Sequence, residues 1–137
     1  MIPAFPAPKK TILCIDNDEA ILDYEKLLLE TSGYAVVTAA SAQQALRLVT
    51  TCECDTVIVD FEMPGMTGYE IAVEIRRVRP ELMVILLSGG EVPTNALTVV
   101  DAFVPKLEAG RQLLPMVAAL CGRSRGPQQK QETVKGQ

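Results

Sequence analysis

The run Leu82-Met-Val-Ile-Leu-Leu87 contains no polar residue. A strand with one face in water would carry a polar side chain at every second position, so an unbroken run fits a parallel strand covered on both faces. Three short β-rich runs precede it, Thr11-Ile-Leu-Cys-Ile15, Ala35-Val-Val-Thr-Ala39 and Asp55-Thr-Val-Ile-Val59, and Ala102-Phe-Val104 follows. Helix signals lie between them. Strict alternation of the two implies parallel strands joined by right-handed crossovers, with functional residues gathered at the carboxyl edge of the sheet.

The helix signals are local. Asp18 can cap a helix whose apolar stripe Ile21, Tyr24, Leu28 follows the 3.6-residue period, with Gly33 as its stop. Ser41-Ala-Gln-Gln44 has the capping-box pattern and opens a second helix through about Val49. Thr67-Gly-Tyr-Glu70 opens a third, with Ile71, Ile75 and Val78 facing the sheet until Pro80 ends it. A short helix is expected at about Asn95 to Val100, and a last one from about Glu108 to Leu120 that Pro115 kinks or delays.

With 137 residues and 48% hydrophobic content, one domain with a full core is expected. Its bounds are taken as residues 10–121, with a flexible N-terminal segment over 1–9 and a disordered basic tail over 122–137. No apolar run approaches the roughly eighteen residues of a membrane span, and Pro3, Pro6 and Pro8 spoil a signal-peptide helix, so a cytoplasmic protein without a membrane partner is expected. The chain has no histidine, and its four cysteines are scattered, which argues for reduced packing residues over a zinc site. Net charge is −4. Four basic residues and one acid fall in the tail, which leaves a more acidic body that would repel nucleic acid directly.

The strand ends carry a coherent set: Asp16, Asn17 and Asp18 after the first run, Asp60 after the third, Ser88 after the fourth, Lys106 after the fifth. Clustered carboxylates suit a hard cation such as Mg²⁺, which offsets repulsion between a carboxylate nucleophile and an incoming phosphate. A hydroxyl and an ammonium at neighbouring strand ends can bind phosphoryl oxygens. Asp18, standing at a helix start, also has a plain capping role.

Asp16-Asn-Asp18, Asp60 with Met63-Pro-Gly-Met-Thr-Gly68, Ser88-Gly and Phe103-Val-Pro-Lys106 together resemble the receiver domain of two-component response regulators, as in the bacterial chemotaxis response regulator. The resemblance implies a single flavodoxin-like (βα)5 α/β domain, with a parallel sheet of order 2-1-3-4-5 and helices on both faces. It implies Asp60 as the phosphoacceptor, and Mg²⁺ held by Asp16, Asn17, Asp60 and the Glu62 backbone carbonyl. It also implies Ser88 as the switch hydroxyl, Phe103 as the aromatic switch and Lys106 as the phosphate-contacting lysine. A sensor histidine kinase or phosphotransfer protein would supply the phosphoryl group. A stand-alone receiver would then signal by contact with a target protein, or with a second copy of itself, through its helix-four, strand-five, helix-five face.

The chain departs from the family pattern in three places. Asn17 stands at the usual second acid, Pro105 precedes Lys106 where the family has a proline after it, and the interval from Ser88 to Lys106 is short, so helix four should be short or partly unwound. Asn17 and the displaced proline fit a second reading, a pseudo-receiver that binds proteins without being phosphorylated. Asp16-x-Asp18 also resembles the nucleophile motif of haloacid dehalogenase-type phosphatases, but the usual Gly-Thr after the second aspartate is missing. Self-catalysed phosphorylation and dephosphorylation, not turnover of a separate substrate, is therefore the expected chemistry.

Overall fold

A computed structural model describes residues 9–121; the expected flexible start and basic tail, residues 1–8 and 122–137, lie outside the described residues. In chain order the elements are β1 (Thr11–Ile15), α1 (Glu19–Thr31), β2 (Ala35–Ala39), α2 (Ala42–Thr51), β3 (Thr56–Asp60), α3 (Gly68–Val78), β4 (Met83–Ser88), β5 (Ala102–Pro105) and α4 (Ala109–Leu120). The strands form one parallel sheet of order β2-β1-β3-β4-β5.

Side chains alternate along each strand between two cores. Leu13, Ile15, Val57, Val59, Val84 and Leu86 face α2 and α3, while Ile12, Cys14, Ile58, Ile85 and Leu87 face α1 and α4. Both faces are dry, which is why the strand sequences read as unbroken apolar runs. All four cysteines are free thiols, and Cys14 and Cys54 are buried. Burial pushes the Cys54 thiol up to about 11, as befits a packing residue.

The helix ends follow from capping residues. Asp18 Oδ1 accepts from the Ala20 amide at 3.0 Å. Thr67 and Glu70 close a full capping box on α3. At α2 the Ser41 hydroxyl accepts from the Gln44 backbone amide, but the Gln44 side-chain oxygen accepts from the Ala40 amide, one residue earlier than in a standard box. Gly33, with φ +98°, terminates α1: its amide donates to the Glu30 carbonyl and that of Tyr34 to the Leu29 carbonyl. Pro115 stands inside α4, which nevertheless continues to Leu120.

Three expectations are corrected. The buried face of α1 is Leu22, Glu25 and Leu29, not the stripe Ile21, Tyr24, Leu28; Tyr24 is 48% exposed. Both stripes have helical spacing, and hydropathy favours the wrong one because the buried face contains an acid. On α3 the buried residues are Gly68, Ile71, Ala72 and Ile75, and Val78 is exposed because Arg79 already ends the helix. Between β4 and β5 there is no α-helix at Asn95 to Val100 but one 3-10 helix, Thr94–Thr98, and a second 3-10 turn, Lys106–Glu108, precedes α4.

That irregular connection is pinned by Arg76 of α3. Its guanidinium donates to the carbonyls of Val99 and Leu82 and pairs with Asp101, whose carboxylate also accepts from the Val84 amide at 2.8 Å. Most of both side chains is buried. Arg76→Met keeps the stem but removes these bonds, and about 2–3 kcal/mol of stability should go with them. Urea unfolding would measure it, and a change under about 0.5 kcal/mol would show that apolar packing alone holds the connection.

Candidate functional site: an acidic pocket at the carboxyl edge

Asp16 leaves β1 with its amide still bonded to the Ala39 carbonyl, and Asp60 closes β3 opposite Leu87. Lys106 follows β5 directly. By strand alternation Asp16 comes after Cys14 and Asp60 after Ile58, so both carboxylates lie on the face covered by α1 and α4.

Lys106 Nζ stands 2.9 Å from Asp60 Oδ1 and 3.6 Å from Asp16 Oδ2. Asp16 and Asp60 are 1% and 2% exposed, although neither is apolar. Asp16 Oδ1 accepts from the Asp18 amide at 2.9 Å. Asp16 Oδ2 and Asp60 Oδ1 are buried, and the Lys106 ammonium is the cation that meets both. Burial raises both carboxyls above their ordinary range, and the Lys106 ammonium pulls each partly back. Burial lowers Lys106, but the bond to Asp60 and the charges of Asp60, Asp16 and Glu62 outweigh it, and its net shift is upward.

The remaining residues singled out from the sequence surround this centre. Ser88 is 1% exposed, and its hydroxyl is tied into its own turn, donating to the Gly90 carbonyl and accepting from the Gly90 amide. Glu62 is exposed and its carboxylate accepts from the Gly89 amide at 3.3 Å, linking the loops after β3 and β4. Phe103 is half-buried on β5 against the core on the α2 and α3 side. Asn17 is exposed beside the pocket, and Asp18 is spent on its cap. The structure thus brings Asp16, Asp60 and Lys106 into contact, with Ser88 on an adjoining strand end and Phe103 on the opposite face of the sheet. All described peptide bonds are trans, including the one after Lys106.

Gly68 sets the position of the Asp60 loop. Its amide donates to the Phe61 carbonyl at 2.8 Å, and a Cβ placed on it would stand 2.4 Å from the Asp60 carbonyl oxygen. Gly65, with φ +84°, makes the turn between them. The motif Met63-Pro-Gly-Met-Thr-Gly68 is therefore a loop whose two glycines let α3 press on the backbone of the acid.

Two buried oxygens on neighbouring carboxylates suit a hard divalent cation. Among the described residues no three acidic, cysteine or histidine side chains converge on one point, so two carboxylates are the anionic share of any such site. Glu25 escaped notice in the sequence although Leu22, Glu25 and Leu29 share helical spacing; it is buried beneath this centre.

The family model of the response regulator receiver domain matches residues 12–116. The chain belongs to this family. Similar proteins include the transcriptional regulatory proteins GlrR of Escherichia coli (strain K12), 37% identical over 60% of this chain, and AfsQ1 of Streptomyces coelicolor, 32% identical over 82%. This chain spans 19% of the first and 52% of the second. Among solved receivers, TrrA of Thermotoga maritima, in complex with Mg²⁺ and a beryllium fluoride, is 32% identical with a TM-score of 0.76, covering 81% of this chain and 98% of its own. TrrA has also been solved in complex with the histidine kinase ThkA. Receiver architecture thus accounts for the sheet order. No helix among the described residues is long and apolar enough to cross a membrane.

Proposed function

We propose that this receiver accepts a phosphoryl group on Asp60 from a histidine kinase or phosphotransfer protein, with Mg²⁺ present, and signals by altered contact with a partner. The observation that carries the reading is the contact of buried Asp60 with Lys106, beside a second buried acid. A carboxylate nucleophile needs its charge kept available and its repulsion from phosphate offset, and an adjacent ammonium does both. The TrrA complexes with Mg²⁺ and with a kinase support the same assignment for a receiver of similar length.

Asp16 and Asp60 would hold the cation, with the Glu62 carbonyl and, where the family has a second acid, the Asn17 amide oxygen completing the ligand set. When bound, the cation would neutralise charge on the transferring group. An Asp60 oxygen attacks the phosphorus, the bond to the donor nitrogen breaks, and Lys106 meets the new phosphoryl oxygens. Ser88 can turn from Gly90 to donate to one of them, and the space it leaves beside β4 is available to Phe103. The readout surface is then the 3-10 helix, β5 and α4, where Leu97 is 42% and Leu107 94% exposed, for a target protein or a second copy. The Asp18 carboxylate caps α1, which supports the receiver reading over the Asp-x-Asp centre of a phosphatase.

Incubation with Mg²⁺ and a small acyl phosphate, followed by intact-mass measurement, should give one phosphoryl adduct that Asp60→Asn abolishes. An adduct that persists in Asp60→Asn would place the acceptor elsewhere. No adduct in the unaltered chain would favour the pseudo-receiver reading.

A further inference from the structure

Helix α1 turns one acid inward. Glu25 is 2% exposed, stands between Leu22 and Leu29 on the face packed against the sheet, and its Oε1 has no hydrogen-bond partner. As a packing residue it is a poor choice, because a leucine would fill a similar space without a buried oxygen left unpaired. Its place is specific. The carboxyl lies against the Cys14 thiol, two residues before Asp16 on the same face of β1. The charged and titratable groups acting on it come from every side of the pocket: Cys14 and Asp16 from β1, Asp60 from β3, Lys106 after β5. At the rim of that pocket the family's second acid is replaced by Asn17, which is exposed. The pocket has therefore lost a charge at its mouth and holds an additional acid at its floor.

We propose that Glu25 is a positioning residue of the phosphorylation pocket, its buried carboxylate supplying from below the negative charge that Asn17 leaves out, so that a divalent cation held by Asp16 and Asp60 is attracted by three charges. The inference rests on the reading that this pocket binds a divalent cation. Glu25 acts through its field and not as a ligand, since among the described residues no three acidic, cysteine or histidine side chains converge on one point. Without a cation, burial first and then the charge of Asp16 push the Glu25 carboxyl up to about 8, which favours its protonated form at neutral pH. A cation above it favours the ionised form, and its proton leaves as the cation enters. If the cation lowers Glu25 by about one unit, the gain in affinity is about twofold at pH 7 and about tenfold at pH 9.

Calorimetric titration of the full chain with magnesium chloride at both pH values tests this. Glu25→Gln is the variant of choice, because it matches the size of the neutral carboxyl and cannot ionise; Glu25→Leu replaces it should it fail to fold. The variant should bind about twofold more weakly at pH 7 and about tenfold more weakly at pH 9. Adding Asn17→Asp to Glu25→Gln should restore affinity at both, whereas a purely structural role for Glu25 would weaken binding by the same factor at pH 7 and pH 9. Equal affinity of the variant and the unaltered chain at both pH values overturns the inference. No magnesium binding by the unaltered chain overturns the cation reading itself, and the inference with it.

Discussion

Gly68→Ala is expected to remove about 3 kcal/mol or more of stability and to slow phosphorylation of Asp60 about a hundredfold. The new Cβ would stand 2.4 Å from the Asp60 carbonyl oxygen, 2.7 Å from the Phe61 Cα and 2.9 Å from the Asp60 carbonyl carbon. All three atoms are backbone, so no side-chain rotation relieves the overlap. Either α3 retreats from the sheet, which opens the packing of Ile71 and Ile75, or the β3 end shifts and carries Asp60 away from Lys106. The first route shows as a lower thermal midpoint, by roughly 10 °C for a domain of this size. The second shows as slow adduct formation in the mass assay at a temperature where the variant is folded. A variant with unchanged midpoint and unchanged rate would mean that the loop from Phe61 to Thr67 absorbs the methyl group, and that the close approach has no role in placing the acid.

Without divalent cation the domain should be more stable at pH 5 than at pH 8, and Glu25→Leu should remove most of the difference. Glu25 has an ordinary value of 4.5 and is held at about 8 in the fold, by burial first and by the charges of Asp16 and Asp60 as well. The folded state therefore keeps a proton that the unfolded chain has already lost. Stability from this source is complete below the unfolded value, declines as pH rises from about 4.5 to about 8, and is level above that. At about 1.4 kcal/mol per unit, the upper bound is about 5 kcal/mol. Asp16 and Asp60, raised by their own burial, act in the same direction from a lower starting value. Glu81, lowered by its bond to Arg79, acts oppositely, but it is exposed and screened. Thermal unfolding in a chelating buffer would give the profile. A leucine variant whose midpoint still falls as steeply as that of the unaltered chain would show that other groups carry the dependence. A more stable leucine variant at pH 8 would also mean that this chain retains an acid at the expense of its own stability, a pattern expected of functional pockets.

The sheet was legible because both of its faces are covered. Apolar runs with no polar interruption, such as Leu82 to Leu87, admit few alternatives, and all five strands lie within a residue of where those runs place them. The acids at the ends of β1 and β3 were legible for a related reason: a carboxylate directly after a buried run has nowhere to go except the strand edge. Helix faces were harder. Periodicity alone allowed α1 two stripes ninety or so degrees apart, and the choice by hydropathy failed because the inward stripe contains Glu25. The short β4–β5 connection foretold a weakened fourth helix, but the clamp from Arg76 joins residues 25 positions apart and has no local sequence signal. The pinning of Ser88 by Gly90 depends on a turn conformation that composition does not specify.

With no α-helix between β4 and β5, the outer rim of the sheet is a strand of four residues that ends in Pro105. Unpaired backbone groups along such a rim are templates for another chain, and long flat rims invite fibrous growth. Proline removes a donor at the end of this one, and its shortness leaves little length to template. A neighbour arriving at this side therefore finds few free amides to zip onto. Association here must come from side chains such as Leu97 and Leu107, which can be rearranged or released, and not from backbone pairing, which once extended is slow to undo. Under the proposed function, in which a partner is released when the phosphoryl group is lost, a blunt rim keeps every contact reversible.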